Sequence, residues 1–212
     1  TPLHPEVCSM LAEYIDQRRA EFDRIPDERA ALLQRLADYV AARRREGRPA
    51  RLTFICTHNS RRSHLAQLWA REAATRFGLD NVETYSGGTE ATAFAPQAVA
   101  ALRRAGFRIE QTGRGENPVY RIGDPNDAPP QQAFSKVYDQ PPNPGAGFCA
   151  VMTCAEADAG CPIVPGAAAR IALPYEDPKA FDGTRLETEI YDARCRQIAR
   201  EMVYVFSRVV GA

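Results

Sequence analysis

Long apolar runs are missing from this chain, and so is any excess of charge of one sign. No stretch approaches the roughly 18–20 apolar residues needed to cross a bilayer, so no membrane span is expected. The 27 basic and 27 acidic residues cancel to a formal net charge of +0, which removes any global electrostatic case for binding nucleic acid or an anionic membrane. Lysine is nearly absent: Lys136 and Lys179 stand alone in a basic complement that is otherwise arginine. Base composition explains such a bias as readily as function does, so it carries no functional weight. Histidine is scarce too. His4, His58 and His64 form no paired-ligand spacing with the cysteines, so no metal and no cofactor are expected. The chain's start shows no basic-then-apolar signal pattern.

What is present is an ordinary globular mixture, 44% hydrophobic and 25% charged, in 212 residues. That is enough to bury a core for one domain with an appendage, or for two small ones. Six cysteines, Cys8, Cys56, Cys149, Cys154, Cys161 and Cys195, are scattered through a chain too large to need disulfide staples. Their scatter favours reactive thiols in a reducing cytoplasm over a secreted disulfide framework.

Residues 1–48 read as two helices, a hairpin ahead of the main domain. Leu11, Tyr14 and Ile15 share one face of the first, with Phe22 two turns on. The second opens at Pro26-Asp27, carries Leu32, Leu33, Leu36, Tyr39 and Val40 at helical spacing, and ends in Arg43-Arg44-Arg45 before Gly47. Basic residues in a last turn complement the helix dipole, which makes the arginine run a solvated helix end. From residue 50 the pattern alternates. Leu52–Ile55, Val82–Ser86, Phe107–Ile109, Phe148–Thr153 and Arg170–Leu173 read as strands. Helices are expected over 63–77, from Pro96 to about Ala105, and over 185–208. Alternation of this kind predicts an α/β fold over 50–212, with a parallel, flavodoxin-like sheet of four to five strands and helices on both faces. The segment 112–147, rich in Pro, Gly, Asn and Gln, reads as an irregular insertion with a short element near Phe134–Tyr138.

The strand ending at Ile55 runs straight into Cys56-Thr57-His58-Asn59-Ser60-Arg61-Arg62-Ser63 and then into a helix. A short strand-to-helix loop gathers backbone N–H groups that bind an anion. A cysteine at its first position feels those donors and the helix dipole, both of which favour thiolate. Arg62, six residues on, can fold back and pair two oxygens of a tetrahedral anion. Ser63 or Ser60 could donate a hydroxyl to the sulfur, and Asn59 could tie the loop's own backbone together. The residues therefore point to an oxyanion site with Cys56 as nucleophile, lined by Thr57, His58, Asn59, Ser60, Arg61, Arg62 and Ser63.

This loop, C-x5-R-S after a hydrophobic strand, resembles the catalytic loop of the low-molecular-weight protein tyrosine phosphatases and of the thioredoxin-coupled arsenate reductases built on the same fold. Tyr85-Ser86-Gly87-Gly88-Thr89 and the Pro96 helix continue the likeness, which covers about 51–111 and 148–208. Arg61 departs from it, since many relatives carry cysteine or alanine there; it adds positive charge at the rim. The resemblance implies further roles. Cys154, delivered by a strand, and Cys161, seven residues later and followed by Pro162, look like the redox segment of the reductases. Asp177 before Pro178 matches the family's general acid. Lys179 stands where the phosphatases usually keep an aromatic, with Tyr175 or Phe181 as substitutes. The resemblance thus implies arsenate reduction by a relay through Cys56, Cys154 and Cys161, regenerated by a thioredoxin-like dithiol. The alternatives are a phosphatase working through phospho-Cys56 and a non-catalytic oxyanion binder or thiol sensor. Asn59 and Ser86 match potassium-binding positions of some arsenate reductases, but Gln67 stands where a glutamate is expected. Cys149, Cys195 and Trp69 read as core, His64 as a surface residue, and Tyr120 and Tyr138 as possible walls of the site.

Overall fold

Residues 50–56 form a strand because six of the seven positions are buried, leaving a short apolar run that must pair on both edges. In the computed structural model, which describes residues 5–123, 131–161 and 163–211, this strand is β1 (Ala50–Cys56). It lies between β2 (Val82–Gly88) and β6 (Phe148–Met152), and β7 (Ala167–Ala172) completes a four-stranded sheet of order β2-β1-β6-β7. Every pairing in it is parallel. His4 and Pro162 lie outside the described residues, as does the side chain of Cys8.

The period-two alternation of strand side chains divides the interior in two. Leu52 and Phe54 of β1, with Cys149 and Val151 of β6, face a large core. That core is closed by α2 (Asp27–Arg45), α3 (Arg62–Arg76), α4 (Pro96–Arg104) and the long α6 (Glu187–Val210). Ile55, Phe148, Ala150 and Met152 face the opposite side, where a second, smaller core contains Cys56, Cys154, Val164 and Ala157 of the short α5 (Ala155–Gly160). Helices cover both faces, as expected, but very unequally.

The N-terminal hairpin packs on the large face. Its α1 (Pro5–Arg19) and α2 lie against α6. Leu33, Leu36 and Val40 are at most 1% exposed, and Tyr14 stacks on Trp69 with ring centroids 5.2 Å apart.

The third expected strand is not part of the parallel sheet. Instead β3 (Ile109–Gln111) pairs antiparallel with β4 (Tyr120–Ile122), and β4 with β5 (Gln131–Ala133), in a separate three-stranded sheet. Gly106, at φ +104°, turns the chain away after α4. A local antiparallel ladder then closes at lower entropic cost than a return to the main sheet. Ile109, Tyr120, Ile122 and Ala133 bury one face of it, and Tyr120 meets Phe94 edge-on at 5.6 Å. The segment expected to be irregular is therefore partly regular. Its final stretch returns to the free edge of β2: Gly88 N–H donates to Lys136 O at 2.9 Å and Tyr138 N–H to Gly88 O at 3.0 Å.

Candidate active site

β1 and β6 run parallel and end together, Ile55 opposite Met152, and Thr153 N–H donates to Ile55 O at 2.7 Å. That register brings Cys56 and Cys154 to the same end of the sheet and into the same small core, although they are 98 residues apart in sequence. Thr57 Oγ1 lies 3.5 Å from Cys154 Sγ. Cys154 is the N-cap of α5, its sulfur accepting from Ala157 N–H at 3.3 Å. Cys161, at the other end of α5, is partly exposed and packs against the same cluster.

The loop between β1 and α3 is held from outside by its carbonyls. Cys56 O and Thr57 O accept from the amides of Thr89 and Glu90, Ser60 O from Ala95 N–H, and Arg61 O from Leu65 N–H. His58 O accepts from the hydroxyls of Ser135 and Thr92. In a trans peptide the N–H opposes the C=O, so the amides of Thr57, His58, Asn59 and Arg61 point away from these outer contacts. Gly88 permits this closeness: a Cβ there would stand 2.6 Å from Thr57 O and 2.8 Å from Asn59 N.

Ser63, rather than Ser60, reaches the sulfur: its Oγ is 3.1 Å from Cys56 Sγ and accepts from Asn59 Nδ2 at 2.8 Å. Asn59 adopts φ +44°, a left-handed conformation that asparagine tolerates better than most residues. Its Oδ1 accepts from Lys136 N–H at 3.0 Å. Asparagine therefore links the loop to the insertion instead of tying the loop's own backbone.

Arg62 is 7% exposed and donates through Nη1 to Tyr175 O at 3.0 Å and through Nη2 to Asp177 Oδ2 at 2.8 Å. Glu156 of α5 approaches Nη1 to 3.8 Å. Arg61 is not an exposed rim charge. It is 8% exposed, and its Nε donates to Asp177 Oδ1 at 2.8 Å. Burial pushes the Asp177 carboxyl up, but Arg62, the Lys179 amide and Arg61 outweigh it and hold the group below the usual carboxylate range.

Three further expectations change. His64 is fully buried, stacked on Phe94 at 4.0 Å with Nδ1 3.3 Å from Ser86 Oγ, because the first turn of α3 faces inward along its whole circumference. Burial, with Lys136 nearby, pushes its pKa well below the ordinary value. Tyr175 is buried under Arg29, whose guanidinium lies 4.6 Å from the ring, so it cannot flank a substrate. Tyr120 likewise belongs to the core of the small sheet, whereas partly exposed Tyr138 packs against the Cys56 cluster. Cys149 and Cys195 are buried as expected, and burial pushes both thiols up to about 12.

Sequence reasoning missed three supports of this site. Ser135 and Lys136 brace the loop from the insertion, and Arg170 holds the C-terminal end of α5, donating to Asp158 O at 2.6 Å and Cys161 O at 3.1 Å. The rarity of lysine was the one signal that could have drawn attention to Lys136.

Residues 51–118 match the family described as low molecular weight phosphotyrosine protein phosphatase. An arsenate reductase of Bacillus licheniformis is 30% identical over 156 residues, which span 73% of this chain and 92% of that protein. The chain belongs to the low-molecular-weight phosphatase and arsenate reductase family. It is an enzyme of arsenate reduction or of phosphatase action, the two activities that the family's names carry. An arsenate reductase of Bacillus subtilis strain 168 is 27% identical over 68% of this chain and 84% of its own. A low-molecular-weight phosphotyrosine phosphatase from Vibrio cholerae O395 shares the fold with a TM-score of 0.51 at 15% identity, over 74% of this chain and 95% of that one. No helix among the described residues is long and apolar enough to cross a membrane.

Proposed function

We propose that this family member reduces arsenate to arsenite through three thiols, with 50–212 as the catalytic part and 1–48 as an extension. Cys56 thiolate attacks arsenic while Arg62 and the loop amides hold the oxygens. Asp177 gives its proton to the departing oxygen as the sulfur–arsenic bond forms. Cys154 thiolate then attacks the sulfur of Cys56. The sulfur–sulfur bond forms, the sulfur–arsenic bond breaks, and its electron pair stays on arsenic, which leaves as arsenite. Cys161 attacks Cys154 in that disulfide, a Cys154–Cys161 bond forms, and Cys56 departs as thiolate. An external dithiol of the thioredoxin type reduces the new disulfide, which suits a reducing cytoplasm.

The observation that carries this reading is the placement of Cys154 Sγ 3.5 Å from the hydroxyl of Thr57, the residue next to Cys56, with Cys161 packed on the same cluster. A phosphatase has no use for the second and third thiols. With Tyr175 buried and an exposed lysine at 179, partly exposed Phe181 is the one flank left, of those expected, for a phosphotyrosine ring. In the phosphatase alternative, water activated by Asp177 would hydrolyse a phospho-Cys56.

The test is mass mapping of disulfides after one arsenate turnover without reductant. Cys154 and Cys161 are expected to be joined with Cys56 free, and Cys154→Ser is expected to abolish arsenate-dependent consumption of reductant. A variant that keeps hydrolysing p-nitrophenyl phosphate at the wild-type rate, in a protein that never consumes reductant with arsenate, would establish the phosphatase instead.

A further inference from the structure

Arg61 has no part in the relay, yet it is buried beside the group assigned to protonate the leaving oxygen. The two oxygens of Asp177 are held differently. Oδ1 accepts from Arg61 Nε at 2.8 Å and from Lys179 N–H at 3.1 Å. Oδ2 accepts from Arg62 Nη2 at 2.8 Å, with Arg61 Nη2 farther off at 3.5 Å. Arg62 is the residue an oxyanion must claim, and one edge of its fork is spent on Asp177. An oxyanion that pairs with that edge displaces the Oδ2 contact. The Asp177 side chain, 28% exposed at the start of a short 3-10 turn, would then be retained mainly by its Oδ1 partners, the Lys179 amide and Arg61.

We propose that Arg61 is a positioning residue that keeps Asp177 facing the anion loop after the oxyanion has taken Arg62 from it. This rests on the reading of Asp177 as the acid. Arg61 is suited to the task because its guanidinium approaches from the N-cap of α3, on the side of Oδ1. Holding Oδ1 leaves Oδ2 turned toward the oxygen that departs. The charges fit the same sequence of events. Arg61 and Arg62 face Asp177 from α3, Glu156 from α5 and Tyr191 from α6. Two guanidinium charges thus face two carboxylates. A bound oxyanion adds negative charge and favours protonation of Asp177, which is the form that donates a proton. One guanidinium remains on Asp177 throughout, so the carboxyl stays in place while its proton affinity rises.

The test is a double-mutant cycle of Arg61→Ala with Asp177→Asn, read as kcat and KM for arsenate and as phosphate affinity by calorimetry. Arg61→Ala is expected to lower kcat by about tenfold or more while changing phosphate affinity little, because misplacing a reacting group by about 1 Å can cost 10²-fold. Added to Asp177→Asn it should cost nothing further. Arg61→Lys, which keeps the charge and limits disturbance of the fold, should recover part of kcat. Losses that multiply, or a loss confined to phosphate affinity, would overturn the proposal. Should the wild type turn over neither arsenate nor p-nitrophenyl phosphate, it is the proposed function that falls. Arg61 is then judged by ¹³C-carboxyl titration of Asp177 with phosphate bound: a midpoint that rises in Arg61→Ala supports the contact, and an unchanged one refutes it.

Discussion

Lys136 is 5% exposed, and among the described residues its ammonium donates only to Phe134 O at 3.3 Å, 4.7 Å from the ring of the same residue. Burial lowers its pKa from the ordinary 10.5 to about 8. Between those values the folded protein binds fewer protons than the unfolded chain, so stability rises with pH across that window. Below about pH 8 both states are protonated, and the buried charge stands as a cost of about 3 kcal/mol. Lys136→Met is therefore expected to raise Tm at pH 7, with the gain fading as pH approaches 10.5, measured by calorimetry across that range. A gain independent of pH would contradict the assignment. An ammonium kept at such a cost beside His64, behind the loop that Asn59 ties to the Lys136 amide, fits a site that needs positive charge. Nothing local marked it: Lys136 and Asn59 are 77 residues apart. His64 misled for a related reason, since its place at the start of a helix suggested solvent while Phe94 and Ser86 arrive from distant segments to cover it.

α5 is the element on which the proposed relay depends. Cys154 and Cys161 cap its two ends, and a helical rise of ~1.5 Å per residue separates them by about 10 Å. A disulfide requires Cα atoms within roughly 7 Å, so α5 must unwind before these two sulfurs can join. With Ala157 its one buried residue, the helix has little packing to lose. Arg170 on β7 opposes the unwinding, paired with Asp158 at 2.5 Å and bonded to the carbonyls of Asp158 and Cys161. Arg170→Ala is expected to speed formation of the Cys154–Cys161 disulfide under a mild oxidant several-fold and to weaken amide protection over 155–161, followed by mass spectrometry. Equal rates would mean that the clamp has no hold on the relay. The helix was foreseeable only as a short stretch of small residues; its clamp lies on a strand that follows, and the partnership exists because β6 and β7 are neighbours.

Taken as one body, the molecule gives the N-terminal hairpin a share of its main core. Leu36 is fully buried among residues of that core, Arg29 bonds Glu201 of α6 at 2.8 Å, and the same guanidinium covers the ring of Tyr175, whose carbonyl holds Arg62. The extension is thus linked to the anion loop through two contacts. Leu36→Ala is expected to cost about 3 kcal/mol, read as a lower urea midpoint with an unchanged slope. A variant as stable as the wild type would mean that the hairpin contributes nothing to the fold.

The sequence by itself determined what depends on neighbours in the chain: strand, loop and helix around Cys56, the six-residue step to Arg62, the Cys154–Cys161 spacing, and the helical faces of 1–48. Each is short-ranged, so periodicity and turn chemistry suffice to reveal it. Only the tertiary structure decided that Phe107–Ile109 leaves the main sheet, that Arg61 and Asp177 meet across 116 residues, and that the insertion braces the loop. Those arrangements follow from strand order and from which buried polar groups find partners, and both are properties of the packed chain as a whole.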